Sequence, residues 1–175
     1  TGAMYRSVAV YAIENGIEIK VVYSEPKEYL LHEFQKEGFN KDLSESVLGV
    51  NPLPGFIRLV PFKEEPLFIT LLGFEGGRFS YLVTNKQPSY DKILPIVGVP
   101  GYRMHYPFES FWGNRNALQT TKAYEHIVYA EANSIVDSYL TLKKISYDYR
   151  DPNMIVAPIG TKPHAIGAIL YAIKY

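Results

Sequence analysis

Cysteine is absent from the 175-residue chain. That excludes disulfide scaffolds, thiolate zinc sites and cysteine nucleophiles. Net charge is absent as well, because 18 basic residues balance 18 acidic ones. Broad electrostatic capture of extended nucleic acid or of an anionic membrane is therefore not expected, although a local basic pocket remains compatible with this balance. No run reaches the roughly 18 consecutive apolar residues of a membrane helix. No basic start followed by an apolar stretch marks a signal peptide, so an intracellular, cytoplasmic protein is expected. The 4 histidines lack metal-type spacing, and neither a metal nor a cofactor is expected.

What is present is core-forming material. Hydrophobic residues make up 47% and charged residues 21%, the balance of a globular chain. The length is that of one ordinary domain. The 15 tyrosines suit half-buried strands and helix faces. The chain opens Thr1-Gly2-Ala3-Met4 and ends inside an apolar periodic segment. This gives the expectation of a segment cut from a longer chain just after a strand.

Apolar runs alternate with helical patterns. Asn15-Gly16 suits a two-residue hairpin or the end of a helix; helical spacing from Met4 favours a helix over Gly2 to Asn15, followed by a strand. A short helix is expected over Pro26 to Gly38. Strands are expected at 17–24, 66–73, 93–99, 125–131 and 153–159. Helices are expected around Phe79–Val83, from Asn133 onward, and from Lys162 onward. Ser134 with Asp137 resembles a capping box. Apolar rather than alternating strands mean a sheet covered on both faces. The expected class is α/β: a Rossmann-like three-layer fold with a mainly parallel central sheet of about five strands.

In such sheets ligands bind beyond the carboxyl ends of the strands, near a topological switch point. That rule selects the turns worth weighing. Gly160-Thr161-Lys162-Pro163-His164 follows a buried apolar run and opens a helix. Its glycine permits close approach, Thr161 can cap, and Pro163 suits the first helical turn. The helix dipole and Lys162 favour an anion. Small residues Ala165, Gly167 and Ala168 allow close packing on the sheet. The alternative is a well-capped turn with a solvated lysine. Glu75-Gly76-Gly77-Arg78 offers a second phosphate contact through Arg78, or simply a glycine turn. Neither turn has the spacing of a Walker A loop or a dinucleotide fingerprint. Pro100 to Asn116 reads as a long polar-aromatic loop. Within it, Tyr102 or Trp112 could stack on a base, and Asn114 or Asn116 could read its edge, with Arg103 and Arg115 nearby. His105 and Glu109 form a candidate acid/base pair, though no nucleophile accompanies them.

The segment Ile155-Val156-Ala157-Pro158-Ile159-Gly160-Thr161-Lys162-Pro163-His164-Ala165-Ile166 resembles the last conserved segment of CARF domains, the CRISPR-associated Rossmann fold. Thr1-Gly2 resembles that family's first strand-to-helix turn. The resemblance implies a dimeric sensor of a nucleotide messenger in a regulatory or antiviral defence system, with Thr1, Gly2, Gly160, Thr161 and Lys162 at the ligand. The residues themselves leave three readings open. One is a nucleotide-binding module, a homodimer with sites at the residues above and at His164. Another is an enzyme acting on a nucleotide or sugar phosphate through His105, Glu109, Glu131 and Lys162. The third is a structural or interaction domain. Fold alone does not choose among them.

Overall fold

The computed structural model describes residues 15–18 and 64–175. Strands and helices alternate along the larger stretch: β1 (Leu67–Leu71), α1 (Gly76–Lys86), β2 (Ile93–Gly98), α2 (Tyr106–Thr121), β3 (Val128–Ala130), α3 (Ile135–Asp148), β4 (Met154–Pro158) and α4 (Lys162–Lys174). The strands form one sheet of 4 in the order β3-β2-β1-β4. Every neighbouring pair is parallel, with Ile69 level with Leu94 on one side and Val156 on the other. The fold is a Rossmann-like α/β three-layer arrangement.

β1 is buried at every position, as an apolar central strand between two helical layers should be. Its residues alternate between two cores. Leu67, Ile69 and Leu71 pack with Leu94, Ile96, Leu142, Ile145, Ala168 and Tyr171 beneath α3 and α4. Phe68 and Leu72 pack with Phe79, Leu82, Ile93, Val97, Ala117 and Leu118 beneath α1 and α2.

Of the expected strands, those at 66–73, 93–99, 125–131 and 153–159 correspond to β1 to β4. The remaining one, at 17–24, falls outside the described residues except for Ile17 and Glu18, which have no regular structure. The helices expected over Gly2 to Asn15 and Pro26 to Gly38 also lie outside them; Asn15 and Gly16 form a turn with Gly16 at φ +61°.

Several details differ from expectation. β3 is short because Ala123–His126 winds into a 3-10 turn instead of extending. β4 is not buried on both faces; only Ala157 is buried, since the strand lies at one edge of the described sheet. Gly167 meets α3 rather than the sheet: a Cβ there would lie 2.6 Å from the Ile135 carbonyl.

The largest correction concerns Pro100 to Asn116, which is not a long loop. From Tyr106 it is the helix α2. Pro107 stands in the first turn, where its missing amide hydrogen costs nothing. The buried residues Tyr106, Ser110, Asn114, Ala117, Leu118 and Thr121 form a helical stripe, but half of it is polar, so a search for apolar periodicity passes over it. No helix among the described residues is long and apolar enough to cross a membrane.

Candidate functional site

The strand order fixes where a ligand crevice can open. From β1 the chain moves through α1 to β2 and then β3. It then returns through α3, on the opposite face, to β4 on the other side of β1. The switch point therefore lies between the carboxyl ends of β1 and β4. Two glycines form its floor. A Cβ on Gly73 would lie 2.9 Å from the Ile159 carbonyl oxygen, and one on Gly160 would collide with the backbone of Leu72. The two turns touch through bare backbone, which a side chain would prevent.

The β1–α1 turn is held from behind by α2. The Gly73 carbonyl accepts from Asn114 Nδ2 at 2.8 Å and from Ser110 Oγ at 3.0 Å. Gly76 and Gly113 bring the backbones of α1 and α2 into direct contact. Phe74 packs edge-on against Tyr106, with ring centroids 5.0 Å apart. α1 starts after Glu75, whose side chain caps no amide; the nearly buried carboxylate pairs instead with Arg78 Nε. The first amides of α1, at the buried Gly76 and the exposed Gly77, thus receive no carboxylate cap at the positive end of the helix dipole.

The β4–α4 turn is arranged differently. Thr161 Oγ1 accepts from the His164 amide at 3.4 Å and donates to the Ala132 carbonyl at 2.7 Å. The Ala165 amide donates to the Thr161 carbonyl at 3.1 Å, and Pro163 has no amide hydrogen. The start of α4 is therefore largely satisfied from within. His164 is fully buried, and its Nε2 lies 3.0 Å from the Glu131 carbonyl. A carbonyl only accepts, so Nε2 carries the proton. Burial holds the imidazole pKa below the ordinary histidine value, outweighing the contacts with the Glu131 and Ala130 carbonyls and the charge of Asp137. The expected capping pair appears in altered form. Ser134 Oγ accepts from the Asp137 amide at 3.0 Å, but the Asp137 carboxylate turns to the Glu131 amide at 2.6 Å.

The structure thus places Gly76, Gly77 and Arg78 at the start of α1 after β1, and Gly160, Thr161 and Lys162 at the start of α4 after the neighbouring β4, the two turns meeting at Gly73 and Gly160. His164 lies behind the second of these turns. Thr1 and Gly2 fall outside the described residues. Asn114 is buried with both amide contacts on carbonyls, those of Gly73 and Ser110, which makes it a support of the β1–α1 turn. Arg103 lies near Tyr106, its Cζ 5.7 Å from the ring centroid. Arg115 stacks on Trp112 at 4.6 Å and donates to the Trp112 carbonyl at 2.9 Å. It lines a separate groove with Phe111, Gln119 and Tyr124. His105 is exposed and packs edge-on to Tyr106; Glu109 follows one helical turn later, its amide donating to the His105 carbonyl at 3.2 Å.

Sequence reasoning passed over Gly73, Ser110 and Gly113, and read Asp137 only as the capping partner of Ser134. The spacing of Ser110 and Asn114 at i and i+4 was the available signal for the first pair of supports. Thr70 Oγ1, Asn114 Oδ1 and His164 Nδ1 are buried without a hydrogen-bond partner, a costly condition. Among the described residues no group of His, Asp and Glu converges as a metal site would require. No protein-family model, curated protein or solved structure matches the chain.

Proposed function

We propose that this domain binds a phosphate-bearing small molecule, a nucleotide or nucleotide messenger, in the crevice between the carboxyl ends of β1 and β4. One observation carries the reading: at the switch point, two glycine turns meet backbone to backbone, and one opens into a helix whose leading amides have no carboxylate cap. A phosphate there would accept from Gly76 and Gly77 at the positive end of α1. Arg78 would add a charged partner on the same wall, and Lys162 a point charge across the crevice. The half-buried Phe74, backed by the buried Tyr106, would supply an aromatic flank for a base or sugar. The resemblance of Gly160 to His164 to the CARF segment supports a messenger sensor in a regulatory or defence system. It also supports a homodimer, for which the exposed Leu170 and Ile173 on α4 and Val136 and Leu140 on α3 provide apolar surface.

The test is a thermal-shift series with mononucleotides, dinucleotides, cyclic oligonucleotides and inorganic phosphate. A ligand that binds only the folded state raises the melting temperature. The expected result is a rise with at least one nucleotide that is larger than the rise with phosphate and that is reduced, not abolished, in Lys162→Ala. No rise with any of them overturns the reading. Sedimentation of the same sample decides the dimer.

A further inference from the structure

We propose that His164 is a pH-sensitive clasp: when neutral it holds the β3–α3 turn against α4, and when protonated it releases that turn from the carboxyl end of the sheet. This inference does not depend on what the crevice binds.

The geometry is that of a latch with three bolts. The turn at Glu131 and Ala132 has three side chains on its backbone. Asp137 of α3 accepts from the Glu131 amide at 2.6 Å. His164 Nε2 donates to the Glu131 carbonyl at 3.0 Å, and Thr161 Oγ1 donates to the Ala132 carbonyl at 2.7 Å. The Ala132 amide in turn donates to the Pro100 carbonyl at 3.0 Å. The turn therefore couples α3, α4 and the segment after β2.

Of the three side chains, only His164 changes charge near neutral pH. Its Nδ1 is buried and has no hydrogen-bond partner. Protonation would add a second buried donor near the positive end of α4, where the neighbouring Ala130 carbonyl already accepts from the Val99 amide at 2.8 Å. The charged groups around it do not offset this fully. From α3 comes Asp137, whose carboxylate is engaged by the Glu131 amide. The turn contributes Glu131, with an exposed side chain, and α4 contributes Lys162, of unfavourable sign. β1, β2 and β4 contain no titratable residue, and Tyr129 on β3 is exposed. An imidazolium is accommodated only if the ring leaves its place, and that breaks the bond to Glu131.

The experiment combines histidine ring resonances with amide hydrogen exchange between pH 8 and pH 5. In the wild type, His164 should keep its Nε2–H form to a pH below the ordinary histidine value. When His164 does titrate, protection of the Glu131 and Ala132 amides should fall about tenfold, in step and without loss at β1 or β2. In His164→Gln, which donates without titrating, that step should vanish. Thr161→Val leaves the histidine in place, removes a second bolt, and should move release to higher pH. The proposal is overturned if His164 titrates at or above the ordinary histidine value, or if it protonates while the turn stays protected. Simultaneous loss of protection at β1 and β2 also overturns it, because the histidine is then part of global stability rather than a local device.

Discussion

The two turns that face each other at the switch point are built on opposite plans. The β4–α4 turn, Gly160 to His164, satisfies its own donors: Thr161 caps the helix and Pro163 removes an amide. The β1–α1 turn, Gly73 to Gly77, leaves its leading amides uncapped, and its support comes from outside, through Ser110 and Asn114 of α2. The first plan gives a recognisable motif and a rigid wall. The second gives an undistinguished sequence and open donors. Motif strength and availability for a ligand are therefore separate properties, and the turn with the stronger motif has fewer free groups.

The largest expected effect tests how strictly each turn needs its glycine. Gly76→Ala would drive a Cβ into the Gly113 carbonyl, which belongs to rigid backbone and cannot swing aside. The cost should be about 3 kcal/mol or more, the upper range for overpacking, read as a lower urea midpoint. The neighbouring Gly77 is exposed, and its replacement by alanine in the first helical turn should be neutral or stabilising by up to about 1 kcal/mol. Equal losses at both positions would show that the α1–α2 contact is not what limits this turn.

Next in size is the outside support. Asn114→Ala removes one donor from the Gly73 carbonyl and leaves a polar gap in the interior, at a cost of about 2 kcal/mol. Thr161→Ala acts on the self-capped turn and should cost about 1 kcal/mol, the usual loss of a helix N-cap. Chemical denaturation of both variants ranks the two plans directly. If Thr161→Ala proves the more damaging, the link to Ala132 outweighs the link from α2 to Gly73.

The sheet was legible in the sequence because its signal is redundant. Leu67 to Leu71 and Ile93 to Val97 are continuous apolar runs between turn residues, and burial on both faces requires little else. The switch point was not legible, because it depends on strand order, and no local pattern in Met154 to Pro158 says that β4 lies beside β1. α2 was missed for a different reason. Its inner face carries Ser110, Asn114 and Thr121, whose donors are taken by carbonyls of the Gly73 turn or of α2 itself. A buried helix face can be polar where it has such partners, and apolar periodicity then fades. Gly160 to Lys162 was placed at the crevice by the sequence, but that Thr161 had already committed its hydroxyl to Ala132 depends on a contact 29 residues away.

A smaller effect concerns acid. The native imidazole of His164 has a lowered pKa, so below about pH 6.5 the unfolded chain takes up a proton that the native state declines. Stability from this group is complete above the unfolded-state pKa, is lost as pH falls through it, and levels off below the native-state value. Urea midpoints between pH 8 and pH 5 should therefore decline in the wild type more than in His164→Gln. Parallel curves would mean that burial of the ring leaves its protonation unchanged.

The smallest expected change in stability, and the most useful for the comparison, is at Lys162. Its side chain is exposed at the first position of α4, so Lys162→Ala should alter the folding free energy by less than about 0.5 kcal/mol. Its effect on ligand should be larger, roughly tenfold weaker nucleotide binding for the loss of a charge-assisted contact. On the facing wall, Arg78→Ala alone would strand the nearly buried carboxylate of Glu75, so the clean counterpart is the pair Glu75→Gln with Arg78→Ala. Calorimetric titration of the wild type, each variant and the combination gives a double-mutant cycle across the crevice. A phosphate held between the walls should couple them, so that the combined loss differs from the sum of the separate losses. Strictly additive losses would place the anion on one wall only, and loss confined to the Glu75–Arg78 variant would assign it to the open amides of α1. If Lys162→Ala alone abolishes binding, the self-capped turn is the anion site after all, and the uncapped start of α1 has a structural origin.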